Sequence, residues 1–249
     1  ITARALSTLA RHGTTVVCTG AGGVRCYAAT VPDGMPNRWL ETQVRSWADD
    51  TQRTAVARRM YTHRFGDTAP KDATIAQLRG LEGQRMKAMY RLLAQQHRVR
   101  PFKRSYDPAD WDGQDPVNRA LSAANTCLYG ITHAAITAIG CSPALGFVHT
   151  GTSHSFVYDI ADLYKAELTL PLAFSLAQSP DPEGEARRSF REGLRLFRLL
   201  PRIVADIQDL LEPDEGTRQD DAEEAVEELV HLWDPVNGIL DGGTNYGEE

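Results

Sequence analysis

The chain has 249 residues, 42% of them hydrophobic, which is enough apolar material for one large domain or two modest ones. No run approaches the roughly 18 consecutive apolar residues that cross a bilayer, and no signal-peptide pattern is present, so a cytoplasmic protein with no membrane association is expected. The net charge of −6 is unevenly spread: Arg53 to Arg104 holds 13 Lys or Arg against three acids, while Asp206 to Glu249 holds 15 acids against Arg218 alone. A basic middle and an acidic end argue against polyanion binding all over the surface. They suit one basic face for a polyanion and a separate acidic end, or else simply solvated helix faces.

In chain order, "ITARALSTLARHG" has helical apolar spacing and stops at Gly13. "TTVVCTG" and "VRCYAAT" read as two short strands joined by "AGG" in a hairpin. This αββ piece, residues 1–30, reads as the end of a β-rich unit whose beginning precedes Ile1, and "VPDGMPN" as a linker. A helical domain is expected over 31–216. It opens with one amphipathic run over 38–64 and a second helix over 74–97. A proline-rich loop (101–116) follows, and Asp115-Pro116 caps and opens a third helix that ends at Gly140. "ALGFVHTGT" breaks into a glycine turn before the helix "SHSFVYDIADLYK", which Pro171 kinks or restarts, and one or two arginine-rich helices complete the domain. The tail, 217–249, is expected to carry a short acidic amphipathic helix, "DDAEEAVEELVHLW", on Ala225, Val226, Leu229, Val230 and Trp233. Cys18, Cys26, Cys127 and Cys141 lack CxxC spacing and read as reduced thiols, mostly in the core.

Glu82 is the most informative position. The apolar stripe of helix 74–97 runs Ile75, Leu78, Met86, Met89, Leu93, and steps of three and four place the glutamate on it. An unpaired carboxylate there costs several kcal/mol by desolvation or stays protonated. It implies an ion pair with Arg79 or Arg85, or a cation or basic partner waiting at that face. Gly80 and Gly83 flank it and are read as admitting another backbone. His149 leaves an apolar run into a glycine turn, held by the one and exposed by the other, although most lone histidines are not ligands. Asp159 and Asp162 stand three apart on a helix edge, where they repel unless a cation or Lys165 lies between them. The plain alternative is a surface Asp–Lys pair. One glutamate, one histidine and one or two aspartates suit Mg²⁺ or Mn²⁺ better than Zn²⁺. No phosphate-binding loop, nucleophile elbow or HExxH motif competes, and "GAGG" reads as a turn.

"LRGLEGQR", "SYDPADW", "SAANTCLYGIT", "GFVHTG" and "SFVYDIADLYK", in this order, resemble the CRISPR-associated integrases of the Cas1 family, in their type I-E branch. The resemblance runs from about residue 5 to about residue 212. It implies a mainly α fold, a helical catalytic domain preceded by a β-rich N-terminal domain of which this chain carries only the end. It also implies metal binding and catalysis by Glu82, His149 and Asp162, with Asp159 as an accessory acid. Arg25, Arg79, Tyr106, Tyr158 and Lys165 match positions at or near the family's DNA-binding surface. Tyr129 matches too, but its place between Leu128 and Ile131 also suits core packing. Thr152 stands where relatives carry a lysine, a departure from the family pattern that removes a cation from that loop.

The resemblance further implies insertion of short duplex fragments into a CRISPR array by attack of a DNA 3′-hydroxyl on a phosphodiester. Such chemistry asks no nucleophile of the protein. It asks a Mg²⁺ or Mn²⁺ site and a basic DNA-binding face. The implied partners are double-stranded DNA, a second copy in a homodimer, and the small subunit Cas2. Two other readings stand beside this one: a non-catalytic DNA-binding scaffold subunit of the same complex, and a helical metallohydrolase of small phosphate esters.

Overall fold

Thr2 caps the first helix, α1 (Ala3–Arg11), its hydroxyl accepting from the Ala5 N–H at 3.2 Å. The structure, a computed structural model, describes residues 1–14, 16–19, 26–30, 37–66, 70, 72–100, 102, 104, 114–196, 198–212, 231–234 and 238–241. Two strands follow α1, β1 (Val17–Thr19) and β2 (Cys26–Ala29), antiparallel with Val17 opposite Ala29 and Thr19 opposite Cys26. The register shifts between Cys18 and Thr19. Among the described residues this hairpin is the whole of the N-terminal β structure.

The single amphipathic run expected over 38–64 is two helices, α2 (Arg38–Ala48) and α3 (Asp50–Phe65). Asp49 separates them: it leaves helical geometry (φ −101°, ψ 119°), and its carboxylate accepts from the Gln52 N–H at 2.8 Å. A short acid that can bond its own backbone favours a cap over a helix interior, and here that preference outweighs the continuous apolar pattern. α4 (Ile75–Gln96) starts at a capping box, Thr74 bonded to the Gln77 N–H and the Gln77 amide oxygen to the Thr74 N–H. α5 (Pro116–Ala138) starts at Asp115, which accepts from the Asn118 N–H at 3.0 Å, with Pro116 in the first turn.

After an irregular loop come α6 (Ser155–Asp162), a five-residue π-helical segment (Lys165–Thr169) and α7 (Leu170–Ser175), with Pro171 at its start. Of the kink or restart expected at Pro171, the restart is what is seen, while α6 itself already ends at Asp162. α8 (Pro182–Leu196) and α9 (Leu199–Leu211) follow, parted at Arg198, whose φ of 46° is left-handed.

Helix α5 is the axis of the packing and meets α6, α7, α8 and α9. Ala120, Leu121, Ala124, Leu128, Ala135 and Ile136 are buried along it. One apolar cluster joins Val56 and Met60 of α3 to Leu128, Phe156, Ile160, Ile203 and Ile207. A second joins Leu93 of α4 to Leu121, Phe174 and Ala186. Cys141 is buried, which pushes its thiol up to about 12, and Cys127 is half-buried. Cys18 is exposed, so it is not core filler.

Residues 1–212 form one unit and residues 213–249 another. In the second, β3 (His231–Asp234) pairs antiparallel with β4 (Gly238–Asp241), Leu232 opposite Leu240. The helix expected over 220–233 lies outside the described residues up to Val230. Its last part, through Trp233, is strand. Among the described residues no helix is long and apolar enough to cross a membrane.

Candidate active site

Glu82 sits on the face of α4 between Leu78, which is buried, and Met86, which is half-buried, as the apolar stripe requires. Its counter-charge is neither Arg79 nor Arg85 but Arg64, in the last turn of α3. The Arg64 guanidinium bonds Glu82 Oε1 through Nη1, and Nη2 lies 3.3 Å from Asp162 Oδ2 at the end of α6. One buried cation, 8% exposed, therefore joins two carboxylates that are 80 residues apart in the chain. Arg85 turns instead to the Arg64 main chain, donating to its carbonyl oxygen. Arg64 escapes a reading of α4 alone, yet it falls on the stripe of α3, three and four residues beyond the buried Tyr61 and Met60. The argument that singles out Glu82 applies to it equally.

Asp159 and Asp162 face different ways. Asp159 is fully buried, and its carboxylate accepts three consecutive main-chain N–H groups of the loop before α6. These are Phe147 at 2.6 Å, Val148 at 3.0 Å and His149 at 2.8 Å. It also accepts from His149 Nδ1 at 2.7 Å, which leaves Nε2 as the imidazole nitrogen free for a ligand. Asp159 is thus a positioning group for His149, and the shared helix edge with Asp162 is not used. Two further residues clamp the loop. The Gln43 side chain, fully buried, donates to the carbonyls of Ser142 (2.9 Å) and Leu145 (3.2 Å) and accepts from the Ser142 N–H (2.7 Å). Arg53 donates to the carbonyls of Phe147 and Gly146, both at 3.3 Å.

Lys165, first residue of the π-helical segment, stands 2.5 Å from Asp162 Oδ1, and its ammonium lies 5.0 Å from the Tyr129 ring centroid. Tyr129 packs partly on the core and meets Tyr158 edge-on at 5.1 Å, and Tyr158 meets the His149 ring at 5.9 Å. Arg79 is exposed on α4. Arg25 and Tyr106 lie outside the described residues.

Burial pushes the Glu82 carboxyl above the usual carboxylate range; Arg64 opposes this, and the Asp162 charge adds to it. Burial alone would raise Asp162 as well, but Lys165 and Arg64 outweigh it and hold that carboxyl low. Burial opposes the charge on Lys165, but the Asp162 carboxylate outweighs it and keeps the ammonium charged. His149 is raised, first by its bond to Asp159, against the pull of burial.

Residues 61–185 match the family described as CRISPR associated protein Cas1. The chain is 43% identical over 244 residues to "CRISPR-associated endonuclease Cas1 1" of Rhodospirillum rubrum, covering 94% of this chain and 78% of that protein. This chain belongs to the Cas1 family. A crystal structure of a TtCas1–DNA complex superimposes with a TM-score of 0.78 at 44% identity, over 86% of this chain and 81% of the other. A casposase bound to integration product shares the fold alone, at a TM-score of 0.58 and 15% identity, over 84% of this chain and 79% of that one.

The Cas1-matching region contains Arg64, Glu82, His149, Asp159, Asp162 and Lys165. In donor chemistry, two carboxylates and an imidazole with Nε2 free fit a hard or borderline divalent cation. Asp162 Oδ1 is already met by the Lys165 ammonium at 2.5 Å, which leaves Oδ2 as its oxygen turned towards Glu82 and Arg64. Yet no three of His, Cys, Asp and Glu among the described residues stand close enough to hold a metal together. The Arg64 guanidinium is the cation that Glu82 and Asp162 share, and Lys165 adds a second at Asp162.

Proposed function

We propose that this protein is a metal-dependent DNA endonuclease and integrase of CRISPR adaptation, of the type I-E branch. It would insert short DNA fragments into an array by attack of a DNA 3′-hydroxyl on a phosphodiester. The observation that carries this reading is the convergence of Glu82 and Asp162 from separate helices upon one cation, in a chain of the Cas1 family. Glu82, His149 through Nε2 and Asp162 are the groups that would hold Mg²⁺ or Mn²⁺. Such an ion would supply Lewis-acid stabilisation of charge on the phosphodiester oxygens.

The chain's own residues do the rest. Asp159 fixes the imidazole and its tautomer, with Nδ1–H on the carboxylate, so that Nε2 keeps its lone pair. Lys165 beside Asp162 places a half-buried positive charge at the same centre, suited to a phosphate oxygen. The exposed Arg79, Lys87 and Arg91 of α4 would attract the backbone of duplex DNA to the helix that carries Glu82. Tyr158, half-buried beside the His149 ring, would offer an aromatic surface on which a base can stack. A homodimer joined by Cas2, which the sequence resemblance implies, completes the reading.

A half-site integration assay tests it. Glu82→Ala and Asp162→Ala are each expected to lower strand transfer at least about a hundredfold in Mg²⁺ or Mn²⁺ while DNA binding persists. Near wild-type transfer by either variant refutes the reading. One observation favours the scaffold alternative: Arg64 and Lys165 together already neutralise both carboxylates. That alternative expects no strand transfer by the wild type and DNA affinity indifferent to metal.

A further inference from the structure

Arg64 is an unusual residue to bury. Its side chain is 8% exposed, yet Nε and Nη2 have no hydrogen-bond partner, and the guanidinium spans Glu82 and Asp162 with the Tyr61 ring 5.4 Å away. A buried guanidinium with unused donors is costly unless its charge is needed where it lies. The need is visible. Without Arg64, Lys165 would meet Asp162 alone, and Glu82 would face the Asp162 carboxylate in a low-dielectric site with no counter-charge of its own. A divalent cation held by the same two carboxylates answers the same need with twice the charge. The two cations cannot share that space.

We propose that Arg64 is the resident counter-cation of the acidic pair. It holds Glu82 and Asp162 together when no divalent ion is bound and leaves them when one binds, so guanidinium and metal compete for the same oxygens. This rests on the metal-dependent reading of the site. Arg64 is here a positioning residue: it sets the spacing of two ligands and the threshold at which metal enters.

Three features support mobility of the side chain rather than of the helix. The Arg64 main chain is held separately, its carbonyl taken by Arg85. The buried Val56, Ala57, Met60 and Tyr61 anchor α3. The guanidinium itself meets Asp162 only at 3.3 Å, outside hydrogen-bond geometry at Nη2.

The test is Mn²⁺ binding to the full chain, followed by electron paramagnetic resonance, for wild type, R64A, R64K and D162N. R64A is expected to bind Mn²⁺ about tenfold or more tightly than wild type, because both the competitor and its repulsion are gone. It is also expected to melt below wild type in chelator and to gain more from Mn²⁺ than wild type does. R64K, a cation without the fork that reaches both acids, falls between them. Equal or weaker Mn²⁺ binding by R64A, with D162N abolishing binding, overturns the competition and leaves the metal site standing. Wild type that binds no Mn²⁺, or D162N that binds as wild type does, overturns both. If R64A does not fold, wild-type crystals soaked in Mn²⁺ decide. An anomalous peak at Asp162 with the guanidinium off both carboxylates supports the proposal, and a peak with Arg64 still bridging them overturns it.

Discussion

Asp159 and Asp162 look equivalent in the sequence and do different work. The first spends its lone pairs on a loop and an imidazole, the second on two cations. Periodicity could place both on α6 but could not say which way each turns, because the partners lie on the loop before the helix and on α3. Glu82 was legible, since a charge on an apolar stripe is anomalous within its own helix. Its partner was not, because Arg79 and Arg85 are near in sequence and Arg64 is near in space. The His149–Asp159 pair has a consequence for pH. Bonded to Asp159, the imidazole holds its proton above the unfolded value of about 6.5. Its contribution is therefore fully present below the unfolded pKa and is lost as pH rises through the higher folded one. The melting temperature of wild type minus that of His149→Gln, measured in chelator from about pH 5 to about pH 9, is expected to be largest at the acid end. A difference that grows towards alkaline pH contradicts the pairing.

At the scale of elements, caps and glycines decide what the apolar pattern leaves open. The starts of α4 and α5 were readable within a residue or so, because Thr74 and Asp115 carry their signals locally. The break at Asp49 was not, since Trp39, Trp47 and Met60 keep helical spacing across it. Beside Glu82, a Cβ at Gly80 or Gly83 meets nothing within 4 Å, so no backbone among the described residues approaches there. The close approach is at Gly146, where a Cβ would stand 2.4 Å from the His149 carbonyl oxygen and 2.8 Å from the Ser155 carbonyl carbon. The two sites make opposite predictions in urea unfolding. Gly83→Ala is expected to stabilise the fold by about 0.5–1 kcal/mol, through helix propensity. Gly146→Ala is expected to destabilise it by about 1–3 kcal/mol, since main chain rather than a flexible side chain must move.

Across the whole molecule, the basic segment and the candidate centre coincide. Arg79, Lys87 and Arg91 are exposed on the helix that carries Glu82. If these side chains neutralise phosphates, the logarithm of duplex affinity falls linearly with the logarithm of salt, by about 0.9 for each phosphate contacted. Replacing one of them with alanine is expected to reduce that slope by about 1, with affinity lowered evenly across DNA sequences. An unchanged slope for all three would remove α4 from the interface. The mainly helical fold and the family were legible from composition and motifs. The assembly of the centre was not, because Gln43 and Arg53 grip carbonyls roughly a hundred positions away, and no local pattern records such a pairing.

The loop that holds His149 has neither helix nor strand, yet Phe147, Val148 and His149 each donate a main-chain hydrogen to the sealed Asp159 carboxylate. Deuterium should therefore enter these three amides at the pace of the α5 interior rather than at the pace of a surface segment. Residue-resolved exchange would then reveal a slow island inside an irregular stretch. Asp159→Asn, which loses one charged acceptor oxygen and keeps the shape, should turn that island fast while the α5 amides stay slow.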